Sequence, residues 1–283
     1  MTKVIFALAW AVLALLCITS VAEVETAGYW LNKGNESLEK ASNETQDQTA
    51  KSLILQEALN AYDKAIEICP QSALGWYKKG EVLIELSRFE EVLPCFNRSS
   101  EIDPQFADAW YQKGKILTAL GRYVDALDAY DEYLKINPQS SDAWYWKAGV
   151  LSELKRYDEG LAAYNESIEI DPLSESVWLG KGGALNMLGR KVEANESFAK
   201  AAELSCKTIE LNPKSVAAWQ NKGTALYYLD RHSEAMQCFD RVIELSPRYY
   251  RSWHYKGLVL QKLGRNAEAD AVFAKARELG SPL

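Results

Sequence analysis

The 283-residue chain has little of what catalysis needs. It holds two histidines, His232 and His254, and no H-x-x-x-H or H-E-x-x-H spacing, so no helical zinc site can be read from it. No G-x-S-x-G turn is present to expose a serine nucleophile. Gly180-Lys181-Gly182-Gly183 is glycine-rich, but it lacks the Gly-x-x-x-x-Gly-Lys-Ser/Thr frame that cradles phosphate. The five cysteines never form a C-x-x-C pair, which removes the zinc and redox readings. No catalytic residue, metal site or cofactor is therefore expected, and the chain reads as a non-enzyme. Clustered positive charge is also missing. The formal net charge is −7, and an acidic chain does not track a phosphate backbone. Nucleic acid is excluded as a partner.

Long apolar runs are absent except at the start. Lys3 precedes Val4 to Leu16, and Ser20-Val21-Ala22 places small residues where a signal peptidase reads. Residues 1–22 read as a secretory signal cut after Ala22, or as an uncleaved N-terminal anchor. Lys3 ahead of the run, with Glu23 and Glu25 beyond it, orients it N-terminus inside. Either way the rest of the chain is expected outside the cytoplasm, secreted or in a prokaryotic cell envelope. Membrane contact is expected only through residues 1–22, if they remain. Bulky Leu16 before Cys17 argues against lipid attachment there. Cys69, Cys95, Cys206 and Cys238 remain after cleavage and fall in or at the end of expected helices. Export permits a disulfide, but spacing does not supply its geometry.

What the chain has is repetition. Tryptophans three residues ahead of a lysine, itself followed by Gly or Ala, occur at Trp30, Trp76, Trp110, Trp144, Trp178, Trp219 and Trp253. The steps between them are 46, 34, 34, 34, 41 and 34. Within one period, Ala107–Pro138, the residues Trp110, Gly114 and Leu117 share one helical stripe. Gly121-Arg122-Tyr123 turns the chain, Ala126, Tyr130 and Tyr133 make a second stripe, and Pro138 ends it. The pairs Ala126/Tyr130, Ala194/Phe198, Ala235/Phe239 and Ala269/Phe273 recur, as do endings such as Glu101-Ile102-Asp103-Pro104. Helix pairs of this period and composition resemble the tetratricopeptide repeat (TPR) family. The resemblance covers nearly all of the chain after residue 22. The expected fold is all-α, a right-handed α-solenoid of about seven helix–turn–helix units over 27–283: about 27–72, 73–106, 107–140, 141–174, 175–215, 216–249 and 250–283.

The spacing assigns mechanical roles. Each Trp is expected to fill the space between its two helices, and each Gly to let the second helix approach. The step of 41 predicts a second helix in the fifth unit that is two turns longer. The step of 46 predicts an exposed polar loop around Ser42–Lys51 in the first. The lysines Lys33, Lys79, Lys113, Lys147, Lys181, Lys222 and Lys256 are expected to pair with the acids ahead of each closing Pro: Glu67, Glu101, Glu169, Glu210, Glu244 and Glu278, with Lys135 the exception.

The family resemblance implies a concave groove lined by the first helices. Residues one, two and five after each Trp, and two before it, would face it. These include Tyr77, Asp108, Tyr111, Asp142, Tyr145, Trp146, Gly149, Gly180, Gly183, Gln220 and His254. The middle of the groove then has an aromatic wall beside a patch without side chains, suited to an extended peptide or a partner helix. Leu31, Tyr77 and Tyr111 stand where a terminal-carboxylate clamp of this family would want lysine, so only Asn35 fits and chaperone-tail recognition is not expected. The expected partner is a protein or peptide. Self-association through the ends and a glycan- or small-molecule-binding groove are the alternatives. Five Asn-x-Ser/Thr sequons, at Asn35, Asn43, Asn97, Asn165 and Asn195, are candidate glycan acceptors. Asn97 and Asn165 also stand where other units carry Asp63, Asp131 or Asp240.

Overall fold

The computed structural model describes residues 26–43 and 47–280. Among these residues there are fourteen α-helices and no strand. They are α1 (Ala27–Asn43), α2 (Gln48–Ile68), α3 (Ala73–Glu85), α4 (Phe89–Ile102), α5 (Ala107–Ala119), α6 (Tyr123–Ile136), α7 (Ser141–Glu153) and α8 (Tyr157–Ile170). There follow α9 (Glu175–Met187), α10 (Lys191–Leu211), α11 (Val216–Tyr228), α12 (His232–Leu245), α13 (Tyr250–Lys262) and α14 (Asn266–Glu278). The fold class is the expected all-α one, a series of helix hairpins.

From the second hairpin on, each turns by the same local device. After the first helix a single residue adopts positive φ, between 58° and 75°: Ser87, Gly121, Lys155, Gly189, Asp230 or Gly264. The arginine that follows donates its backbone N–H to the carbonyl five residues back, as in Arg88 to Leu83 and Arg156 to Leu151. This closes the last turn and satisfies a carbonyl the helix would leave unpaired. The same arginine then grips the acid three residues on with both ends of its guanidinium. Arg156 does so to Glu159 at 2.7 and 2.6 Å, and Arg190, Arg231 and Arg265 repeat it. A serine caps several first helices. Ser72 accepts from Gly75 N, and Ser140 from Ala143 N.

The chain divides into two compact bodies at Ile116/Leu117. In the first, α2 packs on both α1 and α3, and α3 on α4. Its core holds Leu55, Tyr62, Val82, Leu83, Val92 and Phe96. In the second, each helix from α6 to α14 packs on the next, and the first helices α7, α9, α11 and α13 adjoin one another in series.

The inter-helix space is filled by the aromatic of the second helix, seated against the glycine of the first. A Cβ built on Gly34 would lie 2.5 Å from the Tyr62 ring. At Gly80 it would be 2.7 Å from Phe96, at Gly182 2.6 Å from Phe198, at Gly223 2.7 Å from Phe239, and at Gly257 2.5 Å from Phe273. The glycines have the expected role, and so does Trp30, which is buried against Ala61 and Ala65 of α2; the other tryptophans do not. Trp30 is buried, while the other six repeat tryptophans are half-buried at the junction of successive hairpins. Each of those six donates its indole N–H to the carbonyl of the closing proline six residues earlier. The distances run from 2.9 to 3.1 Å. An indole has a polar edge that needs a partner when covered, and this carbonyl is one that no helix uses.

Two irregular steps have different outcomes. The fifth hairpin carries its insertion as expected, in a 21-residue α10. The first hairpin does not loop out. α1 has 17 residues and α2 has 21, against 13 and 14 in α3 and α4. The polar sequence still has apolar residues at helical spacing, with Leu55, Leu59 and Tyr62 buried, and Asp47 caps the start of α2. Most of the extra length is therefore helix.

Candidate functional site

The lysine ladder pairs with different acids from those expected. Lys79 bridges Asp63, Lys147 bridges Asp131 and Lys256 bridges Asp240, each at 2.6 Å. Each partner is 16 residues earlier, directly after the aromatic of the preceding hairpin. Three of the pre-proline acids instead pair locally. Glu101 pairs with Arg98, Glu244 with Arg241 and Glu278 with Lys275. Most ladder lysines also lie over the Trp three residues before them, at 4.7 to 5.6 Å from the ring. At Lys181 and Lys222 the residue 16 back is Asn165 and Cys206. Lys181 rests over Trp178 with no ion pair among the described residues, and partial burial lowers its pKa.

Asn97 and Asn165 stand in the slot that Asp63, Asp131 and Asp240 fill in other hairpins. In the sequons of Asn97 and Asn165 the serine, Ser99 or Ser167, is fully buried, and Ser37 and Ser197 are nearly so. Asn35 is exposed and accepts from the Tyr62 hydroxyl at 2.8 Å. Asn43 ends α1, and its Thr45 lies outside the described residues, as do residues 1–22. Among the described residues no helix is long and apolar enough to cross a membrane. Cys69, Cys95, Cys206 and Cys238 are free thiols. Burial pushes Cys95 and Cys238 up to about 11.

Of the expected groove residues, three are not at a free surface. Tyr77 is buried, its ring 5.7 Å from Phe96 and 5.0 Å from Phe106. Two aromatics flank it, so it became core. Gln220 is buried and donates to Thr224 Oγ1 at 3.2 Å. Gly180 is a spacer. A Cβ there would lie 2.6 Å from the Tyr164 ring. Asp108 and Asp142 are exposed, while Tyr111 and His254 are half-buried. His254 packs 5.5 Å from Phe273, and burial lowers its pKa.

The remaining residues form a patch in the second body. Tyr145 and Trp146 meet edge to face at 5.7 Å, and Tyr145 leans on Tyr164 at 6.2 Å. Trp146 is half-buried. One turn on, Gly149 has no atom within 4 Å of where a Cβ would stand. Gly183, its counterpart on the adjoining α9, is equally open. A bare helical surface thus lies beside an indole.

Sequence reasoning missed a second concavity, in the first body. A hollow of about 540 Å³ has Leu38, Leu55 and Ile84 in its wall, with Lys78, Glu81, Gln112 and Lys115 at its polar side. The lengthened α1 and α2 supply part of that wall. The step of 46 was the signal, hidden by the polar composition around it.

Family comparison decides the identity. Tetratricopeptide repeat profiles match residues 107–140 and 216–249, 129–162, and 73–106 and 250–279. Together they cover 73–162 and 216–279, more than half of the chain. The chain belongs to the tetratricopeptide repeat family. The two TPR hairpins with lengthened helices fall in the stretches these profiles leave uncovered. A TPR protein from Parabacteroides merdae aligns with a TM-score of 0.66 at 16% identity, over 89% of this chain and 94% of that one. A MamA RS-1 double mutant aligns with a TM-score of 0.58 at 19% identity, over 66% and 98%. At such identities the likeness is one of fold. No curated protein sequence matches the chain significantly.

Proposed function

We propose that this TPR protein is an exported, non-catalytic scaffold that holds a segment of a protein partner against the first helices of its second body. The TPR fold is a protein-binding scaffold, consistent with that role. The observation that carries the reading is the half-buried Trp146, edge-on to Tyr145, beside the open backbone at Gly149 and Gly183. An aromatic anchor supplies contact area at low entropy cost, and uncovered helix lets a partner backbone come close. Export rests on residues 1–22, and a place in envelope assembly or organisation rests on export.

Trp146→Ala is the test of choice, because among the described residues Trp146 has one ring contact while Tyr145 also supports Tyr164. Affinity capture from solubilised envelope, native protein beside Trp146→Ala, should retain a protein that the variant loses. Equal capture by both would refute the groove reading. A fusion of residues 1–40 to alkaline phosphatase should be active, and an inactive fusion would refute export.

A further inference from the structure

The hollow in the first body is built by the insertion that lengthens the first hairpin. α1 has 17 residues where α3 and α5 have 13, and Ala41 and Ser42 lie in its additional turn. α2 has 21 where α4 has 14, and Lys51 lies in its added part. A 3.1 Å bridge from Lys51 to Glu85 fastens that part to the end of α3. A hairpin of ordinary length would lack these residues. The added turns wall a space of about 540 Å³ that α3 and α5 bound on the other side. Every residue lining it belongs to the same compact body.

The charges in the hollow do not balance. Four of its five charged side chains cancel in pairs, Lys51 with Glu85 and Lys78 with Glu81, the latter at 2.7 Å. The fifth is Lys115. It is half-buried, makes no ion pair among the described residues, and holds its amine 5.6 Å from the Tyr111 ring. Of the residues five after each repeat Trp, Lys115 is the only cation; Glu81 takes that slot in α3 and Gly149 in α7. The hollow therefore carries one uncancelled positive charge, in surroundings where a carboxylate attracts it more strongly than in open water.

The wall beside that charge is apolar. Leu55 is buried, while Leu38 and Ile84 are half-buried and keep part of their surface toward the hollow. The polar side offers both signs of hydrogen bond, from the Gln112 amide and the Lys78–Glu81 pair. A peptide backbone carries one donor and one acceptor per residue, so that mixture suits a peptide better than an apolar acid of low mass.

We propose that the first body binds a peptide segment that sets a large aliphatic or aromatic side chain against Leu38, Leu55 and Ile84 and an aspartate or glutamate side chain on Lys115. One uncancelled amine matches one carboxylate, and the open polar side lets the peptide chain run on past it. This site is separate from the Trp146 patch and stands without that reading.

The test is selection of a random peptide library, displayed on phage so that no peptide has a free C-terminus, against the full-length protein. Selected peptides, made with both ends blocked and a fluorescent label, are then measured on variants. Lys115→Gln removes the charge. Ser42→Trp starts from an exposed position in the wall and fills the hollow with an indole. One class of peptide, with Asp or Glu near a large apolar residue, should lose about tenfold in affinity to each of these variants. The same class should bind Lys115→Arg and Trp146→Ala as it binds the native protein. Its affinity should fall with salt, and less steeply in Lys115→Gln. Unchanged circular dichroism and urea midpoints check that Lys115→Gln and Ser42→Trp are folded. If no peptide is weakened by both Lys115→Gln and Ser42→Trp, the inference is overturned, and peptides lost only to Trp146→Ala would leave the groove reading standing. Peptides weakened by Ser42→Trp but indifferent to Lys115→Gln would overturn the acid requirement and the proposal with it. Self-association of the native protein in sedimentation, abolished by Ser42→Trp, would give the hollow to a second copy instead.

Discussion

Two glycines on first helices should respond to the same substitution with opposite sign. Gly223→Ala and Gly149→Ala each add one methyl group to a helix interior, where alanine is favoured over glycine by roughly 0.5–1 kcal/mol. At Gly149 nothing lies within 4 Å of the new Cβ, so that gain is kept. At Gly223 the Cβ would meet Phe239 Cε1 at 2.7 Å, Phe239 Cζ at 3.0 Å and Cys238 Cβ at 3.1 Å. Phe239 and Cys238 are themselves buried, so the ring cannot swing into solvent. Overpacking of this kind costs about 1–3 kcal/mol. The propensity gain is common to both, so the difference between the variants isolates the packing cost, at about 1–3 kcal/mol. Urea denaturation followed by circular dichroism reads it as a higher midpoint for Gly149→Ala and an unchanged or lower one for Gly223→Ala. Phe239→Leu added to Gly223→Ala should recover part of the loss relative to Phe239→Leu alone. Equal upward shifts for both glycines would refute the claim that the second-helix aromatic is seated on the first-helix glycine.

Three further outcomes are expected. Trp144→Phe removes the indole bond to the Pro138 carbonyl, 2.9 Å long, and should cost about 0.5–1.5 kcal/mol in the same denaturation assay. Asn165→Asp gives Lys181 the partner that Asp131 gives Lys147; it should stabilise by about 0.2–1 kcal/mol at low salt and by less at high salt. Glu203 accepts from Lys200 and Lys207, which holds its carboxyl at about 2. Because the folded pKa is depressed, its support for α10 is complete above the ordinary glutamate range and is lost as pH falls through about 2. A carboxyl titration by NMR with a midpoint at the ordinary glutamate value would contradict that pairing.

The fold was legible because its signals are local and repeated. Trp, Gly, aromatic and Pro recur at fixed offsets, and each offset has one geometric meaning on a helix. What sequence could not supply was direction. Trp110 and Tyr130 both read as core aromatics, but a six-residue reach from indole to proline carbonyl is invisible to helical periodicity. It decides that Trp lies at the junction and Tyr in the centre. The lysine ladder failed for a related reason. Two ladders of acids run beside it, and only packing of successive hairpins selects Asp63, Asp131 and Asp240. At the candidate site, pattern alone placed Tyr77 and Tyr145 in one class. Phe106, from the next hairpin's approach, covers Tyr77 and has no equivalent over Tyr145.

The bond from each indole to the proline six residues before it has a consequence for how such a chain can change over time. The tie between one hairpin and the next is written inside a single short stretch rather than between distant parts. A cut made after one closing proline and another made 34 residues later would therefore remove or duplicate a complete module, with its junction intact. Repeat arrays behave as chains of neighbour contacts, and contacts this local also keep folding fast. A gene for this protein could lengthen or shorten by whole modules without any compensating substitution. The two hairpins with extended helices would then be the positions where selection acted on shape rather than on number.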